Sequence, residues 1–401
     1  MTLRVANEVP PIGEDEYRAR LDRTQHAMKA GGFDALLLTA EPNFRYLTGF
    51  NSQTWVNLTR PRYCIVPLRG DPVVICPKSN VVILETTSWI SDVRTWPAPR
   101  PEDDGVSLVV EALKNCGGPL RRVGAELGAE SRLGMPVGDF LRIRDAIAPA
   151  TIVDGEYILR RLRMVKSPAE IARCHAIGQI ASDGFARLAK SLRPGDTERD
   201  AAAKLQADLL AHGAEKMPYV IAVSGEHGYP CINMGPSDRI LEEGDVLIID
   251  TGSTFDGYFC DFDREFAFGT PCDDVRRAYE KVWRATSAGI AAVRPGVRTC
   301  EVWQAMATSL DADSVSGTGV GRMGHGLGLQ MTEWPSINRD DQTVLAKDMV
   351  ITIEPGIAFS TTDRHGRAAQ KVLVHEENIV VTADGSAMLS KRAPPEMPVV
   401  R

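Results

Sequence analysis

The sequence predicts an α+β protein of two domains, a smaller α/β domain over residues 1–155 and an α+β domain over residues 156–401. Three observations lead there. The chain has 401 residues, more than one ordinary core organises. In the first 155 residues short apolar runs alternate with helical patterns, as in a sheet covered by helices. Beyond residue 156 the strand-like runs come in adjacent pairs around turn signals, which predicts antiparallel hairpins rather than βαβ repeats.

The first helix is expected over EDEYRARLDRTQHAMKAGG (14–32), with acids in its first turn and Gly31-Gly32 as its stop. DALLLTA (34–40) reads as a strand, and PNFRYLTGF (42–50) as a loop followed by a second strand. YCIVPL (63–68) and PVVICP (72–77) predict two strands joined by a hairpin at Arg69-Gly70-Asp71. VSLVVEALKNC (106–116) predicts a helix and RRVGAEL (121–127) a strand.

Residues 156–175 are basic, then helical. Ser167-Pro168-Ala169-Glu170 fits an N-cap followed by Pro at the first helical position and Glu at the third. Further helices are expected near 168–192, 196–212, 272–293 and 299–311. Strands are expected near 219–223, 246–252, 258–268, 349–353, 371–374 and 378–382.

Composition narrows the function. Hydrophobic residues make up 43% and charged residues 25% of the chain, which reads as a soluble globular protein. A net charge of −7 gives no sign of a nucleic-acid surface. No run reaches the ~18 apolar residues of a membrane span, and the first residues lack the apolar region of a signal peptide. The expectation is a cytoplasmic protein without nucleic-acid or membrane partners. Eight cysteines form no CxxC pair and read as free thiols, not as a zinc finger or disulfide framework.

The chemistry concentrates in DVLIIDTGSTFDGYFCDFDREFAFG (245–269). VLIID is an apolar strand ending on Asp250, Asp256-Gly257 signals a turn, and YFCDFDREF resumes the strand. A turn centred between Phe255 and Asp256 sets Asp250 opposite Asp261. A two-residue Asp-Gly turn sets it opposite Asp263. In either register Asp261 and Asp263 share a face. Such converging acids repel one another unless a cation joins them. His325 lies between glycines in GRMGHGLGLQMTEWPSI (321–337). MVITIEPG (349–356) is an apolar strand ending at Glu354, and KVLVHEENIVVT (371–382) centres on Glu376 and Glu377. Two Asp, one His and two Glu make an oxygen-rich set suited to Mn²⁺, Fe²⁺, Co²⁺ or Zn²⁺. Two such ions roughly 3.5–4 Å apart can activate a bridging water and polarise a carbonyl. Gly319, Gly321 and Gly324 match GxGxxG, with Asp340 beyond, but a Ser-rich stretch precedes them and Pro335 follows, against the strand–helix context that motif needs.

Taken together, Asp-x10-Asp, GHGxG, EPG and an acid before IVVT resemble the pita-bread metallopeptidases: methionine aminopeptidase, prolidase and Xaa-Pro aminopeptidase. YLTGF (46–50) and RMVKSPAEI (163–171) are similar to the creatinase-type N-terminal domain and its junction. The resemblance implies a C-terminal pita-bread catalytic domain behind a creatinase-like domain, and two divalent ions, manganese foremost. It implies Asp250, Asp261, His325, Glu354 and Glu376 as ligands, with Glu354 also shuttling protons. By family spacing it favours the register that faces Asp250 with Asp261, and Glu376 over Glu377. Asp263, where the family often has threonine, is expected to support a ligand or to pair with Arg264. Trp334 is expected in the substrate pocket. Trp55 is expected either to cover a site, as in related homodimers, or to pack in its own domain.

Two positions depart from the family. Asn233 and Thr332 stand where proline-cleaving members carry histidines that meet the substrate carbonyl and the developing tetrahedral centre. Neither residue can act as a cation. The leading expectation is a hydrolase of an Xaa-Pro-like amide in a small peptide. The alternatives are a small-molecule enzyme on the same fold, resembling ectoine hydrolase or a dimethylsulfoniopropionate lyase, and a binding module. The lyase's base is an aspartate where this chain has Thr332. Creatinase-like hydrolases lack the acidic set kept here.

Overall fold

The computed structural model describes residues 9–310 and 321–401. It separates into two compact units, residues 11–163 and residues 164–401, the latter also holding Pro10. The division falls eight residues beyond the expected one, because the basic segment after residue 155 is a helix of the first unit.

In the first unit, α1 (Glu14–Gly31) ends on Gly32, whose φ of 69° suits glycine. Next come β1 (Ala35–Leu38), α2 (Glu41–Thr48), β2 (Tyr63–Pro67), β3 (Val73–Pro77) and α3 (Val81–Thr87). Then follow β4 (Asp92–Trp96), α4 (Val106–Lys114), β5 (Arg122–Ala125), α5 (Val137–Ala146), β6 (Thr151–Asp154) and α6 (Glu156–Met164). The six strands form one mixed sheet in the order β4-β3-β2-β1-β5-β6. Leu37, Ile65, Ile75, Val109, Leu113 and Val123 fill its core.

Residues 42–50 correct the sequence reading: they lie largely in α2, not in a loop and strand. The cap comes from far along the chain. The buried Glu126 carboxylate accepts the N–H groups of Thr39 at 2.8 Å and Ala40 at 2.9 Å, a tertiary N-cap that local sequence does not display.

The second unit begins with α7 (Pro168–Ser191), where Ser167 and Glu170 form the expected capping box. It continues with α8 (Glu198–Ala211), β7 (Lys216–Glu226), β8 (Asp245–Phe255), β9 (Tyr258–Phe268), α9 (Asp273–Ala292) and α10 (Thr299–Ser309). After these come β10 (His325–Gly326), β11 (Glu333–Ser336), β12 (Val350–Ile353), β13 (Gly356–Thr362), β14 (Ala368–Val374), β15 (Glu377–Val381), β16 (Ser386–Met388) and β17 (Val399–Val400). One sheet runs β17-β9-β8-β7, a second runs β11-β10-β12-β15-β16, and β13 pairs with β14.

Strand alternation divides the first of these sheets cleanly. Leu247, Ile249, Cys260, Phe262 and Phe266 pack toward α7 and α8. Val246, Ile248 and Ala267 join the core that includes α9 and α10. Asp250, Asp261, Asp263 and Glu265 have the parity of this second face, so the hairpin directs its acids to one side. Gly319 of the GxGxxG match lies outside the described residues, and the two-residue strand β10, not a helix, follows Gly324. All eight cysteines are free. Among the described residues no helix is long and apolar enough to cross a membrane.

Candidate metal centre

The β8–β9 hairpin closes through the two-residue turn Asp256-Gly257, both with positive φ (48° and 76°). Phe255 therefore pairs with Tyr258, and Asp250 with Asp263. The expectation that Asp250 faces Asp261 is corrected: Asp261 pairs with Gly252 and is the diagonal neighbour of Asp250. Both acids still share one face, because the period of two survives a two-residue shift.

Gly252 explains what lies between them. A Cβ there would stand 2.4 Å from the Tyr219 ring, so glycine lets Tyr219 of β7 lie across the hairpin. Its hydroxyl meets Asp250 Oδ1 at 3.3 Å and makes a short hydrogen bond to Asp261 Oδ1.

His325 comes from β10. Its Nδ1 donates to the Gly326 carbonyl at 2.8 Å, so Nε2 is the ring nitrogen turned to Asp261 Oδ2, 3.5 Å away. Gly326 is required by a close approach, since a Cβ there would meet the Trp334 carbonyl oxygen at 2.0 Å. Glu354 follows β12, and its N–H donates to the Met323 carbonyl at 3.0 Å. Glu376 precedes β15. The side chain of Asn378 ties this strand to the hairpin, accepting the Asp261 N–H at 3.0 Å and donating to the Asp261 carbonyl.

One donor atom each of Asp261, His325 and Glu376 lie within 4.8 Å of one another, and all three residues are buried. Glu376 Oε1 is buried without a hydrogen-bond partner, the acceptor shortage a cation relieves. Burial first, then the neighbouring carboxylates Asp261 and Glu354, holds Asp250 well above the usual carboxylate range. Glu376 is raised likewise by burial, then by Glu354, Asp261 and Asp250. Burial lifts Glu354 to about 7, against the opposing pull of His325. A buried, electron-rich set of oxygens with one imidazole lone pair fits a divalent ion.

Glu377 has the opposite environment. It accepts from Arg264 Nη2 at 3.0 Å, the Ala393 N–H at 2.8 Å and the Ser390 hydroxyl. His375 turns to Thr286 and Arg392. Asp263 does not take Arg264 as a side-chain hydrogen-bond partner. Its Oδ1 accepts the Glu376 N–H at 3.2 Å, while Arg264 bonds the carbonyl oxygens of Asp263 and Glu376.

The remaining candidates separate. Thr332 is half-buried and accepts from Arg322 Nη2 at 3.3 Å. Trp334 lies in β11, beside β10. Asn233 is exposed in the loop after β7, and no hydrogen bond among the described residues joins it to the cluster. Trp55 belongs to the first unit, edge-on to Phe44 and Phe50 and under the Arg62 guanidinium. Sequence reasoning missed Tyr219, Arg322 and Asn378. The one local sign for Tyr219 was a glycine inside an apolar strand.

Known proteins share both parts of this chain. Residues 172–383 match the model of metallopeptidase family M24, and residues 20–165 that of the creatinase/prolidase N-terminal domain. The chain is 32% identical over 388 residues to a probable dipeptidase PepE of Mycobacterium tuberculosis, covering 96% of each. It is 26% identical over 369 residues to an Xaa-Pro dipeptidase of Pyrococcus horikoshii, covering 91% of this chain and 94% of that one. The crystal structure of dipeptidase PepE from Mycobacterium ulcerans superposes with a TM-score of 0.81 at 31% identity, covering 98% of this chain and all of that one. The chain belongs to metallopeptidase family M24, as a metallohydrolase with a creatinase-type N-terminal domain and a pita-bread catalytic domain.

Proposed function

We propose that the protein is a dipeptidase-type hydrolase working through two divalent ions, with Xaa-Pro dipeptides as its substrate class. The observation that carries this reading is the buried Asp261–His325–Glu376 group with its unpartnered carboxylate oxygen. Relatives called dipeptidase and Xaa-Pro dipeptidase support the substrate class, and they do not favour the ectoine or sulfonium alternatives.

Asp250, Asp261, His325, Glu354 and Glu376 would hold the ions, which supply Lewis acidity toward the amide carbonyl and toward water. The chain's own groups do the rest. Tyr219 orients Asp250 and Asp261 through its hydroxyl. Asn378 fixes Asp261 against β15. Glu354, a carboxylate at the end of an apolar strand in the same cluster, would take a proton from water and return it. Water adds its oxygen to the amide carbon and Glu354 takes the proton released. The C–N bond then breaks as that proton passes to the departing nitrogen, leaving an acid and an amine.

The test is metal content by elemental analysis together with turnover of Xaa-Pro dipeptides, ectoine and dimethylsulfoniopropionate by the Mn²⁺-loaded protein. Two ions per chain with dipeptide cleavage is the expected result. Two ions with turnover of only a small molecule would replace the dipeptidase reading, and absence of metal binding would remove the site.

A further inference from the structure

Thr332 and Asn233 leave the site without the two family histidines, yet a cation stands beside Thr332. The Arg322 guanidinium donates from Nη2 to the Thr332 hydroxyl at 3.3 Å. Its chain neighbours are tied to the proposed ligands. Its neighbour Met323 accepts the Glu354 N–H through its carbonyl, and donates its own N–H to the Ile337 carbonyl at 2.8 Å. Three residues on, His325 pairs with Ser336 of the strand that follows Thr332. Arg322 and Thr332 are thus carried by the short β10–β11 pair that carries His325.

Other cations around the cluster are occupied. Lys166 is paired with Glu333 at 3.1 Å. Arg264 is consumed by Glu377 and by the carbonyls of Asp263, Glu376 and Lys391. Arg392 serves Glu377, Ser287 and the Trp283 carbonyl. Arg322 makes no ion pair among the described residues, is only half-buried, and spends a single donor on a neutral hydroxyl. A guanidinium presents five N–H donors in a fixed fork, so most of its donors are unspent among the described residues.

We propose that Arg322 replaces the missing histidine as the catalytic cation, donating hydrogen bonds to the carbonyl oxygen of the scissile amide as that oxygen becomes an anion. This rests on the amide-hydrolase reading of the same site. When water adds to the carbonyl carbon, the C=O electron pair moves onto oxygen. A guanidinium fixed beforehand stabilises that charge more than it stabilises the neutral substrate, so its contribution falls on kcat. Thr332 orients the guanidinium through its hydroxyl.

The experiment uses the full chain loaded with Mn²⁺. Arg322→Gln is expected to lower kcat for Ala-Pro about 100-fold, the scale for loss of one oxyanion donor, with KM changed far less. Binding of a phosphonate analogue of Ala-Pro, measured by calorimetry, should weaken in step with kcat, while binding of L-proline should hold within a few-fold. Arg322→Gln combined with Thr332→His should recover part of kcat, since imidazole returns where the family carries it. A variant that keeps kcat and phosphonate affinity overturns the proposal, as does one that loses L-proline and phosphonate equally. A wild-type enzyme that neither cleaves Ala-Pro nor binds the phosphonate, though it holds metal, overturns the amide-hydrolase reading and this inference with it. Normal wild-type cleavage with an indifferent variant overturns Arg322 alone.

Discussion

Both units bury carboxylates, and they satisfy them in opposite ways. In the first unit Glu126 Oε2 accepts from Thr39 N and Oγ1, each at 2.8 Å, and from Ala40 N at 2.9 Å, while Oε1 accepts from Asn43 Nδ2 at 2.8 Å. In the second unit Asp250 and Asp261 share one tyrosine hydroxyl, and Glu376 Oε1 has no donor. Burial raises the carboxyl in both places, so burial alone does not distinguish them. Donor supply does. An acid with filled acceptors is a cap for the chain that surrounds it. A group of acids with more acceptors than donors must hold protons or a cation. The contrast recurs within two adjacent residues, Glu376 short of donors and Glu377 saturated.

The sharpest way to break this contrast is to delete one acid of each kind. Glu376→Ala or His325→Ala should lower kcat/KM by at least ~10³-fold and remove bound metal by elemental analysis. The metal-free Glu376→Ala variant should melt no lower than metal-free wild type, since one of the mutually repelling acids has gone. Glu126→Ala should do the reverse. It should keep metal and lower stability by about 2–4 kcal/mol, through the lost cap and the stranded N–H groups of Thr39 and Ala40. Calorimetric melting with and without a chelator reads both. If Glu126→Ala also emptied the site, or Glu376→Ala destabilised the metal-free protein as much, the distinction would fail.

The same contrast has a pH signature. Burial lifts Glu354 to about 7 and Glu265 to about 8, whereas an unfolded glutamate releases its proton near 4.3. Between about pH 5 and pH 8 the folded, metal-free protein therefore holds more protons than the unfolded chain. Its stability should fall as pH rises through that window. Divalent ions take the place of those protons, so their affinity should rise with pH over the same range. Melting temperatures in chelator at pH 5, 6, 7 and 8, repeated with Mn²⁺, give the check. A chelated profile that stays level would mean that the acids are not protonated in the absence of metal.

The site was legible where the sequence breaks its own pattern. An acid at the end of VLIID, at the end of VITI and within VLVHEENIVV contradicts the burial those runs predict; the structure ties Asp250 to Asp261 through Tyr219 and sets Glu376 beside Asp261. What stayed hidden depended on partners distant in sequence. The helix over Glu41–Thr48 is capped from Glu126. Arg322 shows its availability only once the partners of Lys166, Arg264 and Arg392 are known. Strands of two to four residues, such as β10 and β11, are too short for a period of two to register, and the backbone contacts of Gly326 define them instead.

The hairpin register leaves the smallest effect and the finest test. Family spacing favoured Asp261 opposite Asp250, but the two-residue turn sets Asp263 there. The proposed ligand set thus parts pairing position from metal ligation, giving Asp263 the first and Asp261 the second. Its Oδ1 accepts the Glu376 N–H at 3.2 Å, so it holds a ligand's backbone in place. Groups that orient a ligand from behind typically change metal affinity by ~10–100-fold when removed. Asp263→Ala should weaken Mn²⁺ binding near the lower end of that range by titration calorimetry, with unchanged stoichiometry, because Arg264 still anchors the Glu376 carbonyl at 3.1 Å. Asp261→Ala should lower the stoichiometry itself. Were Asp263→Ala to cost a metal equivalent as well, ligation would follow the paired register, and Asp263 would have to be counted among the residues that hold the ions.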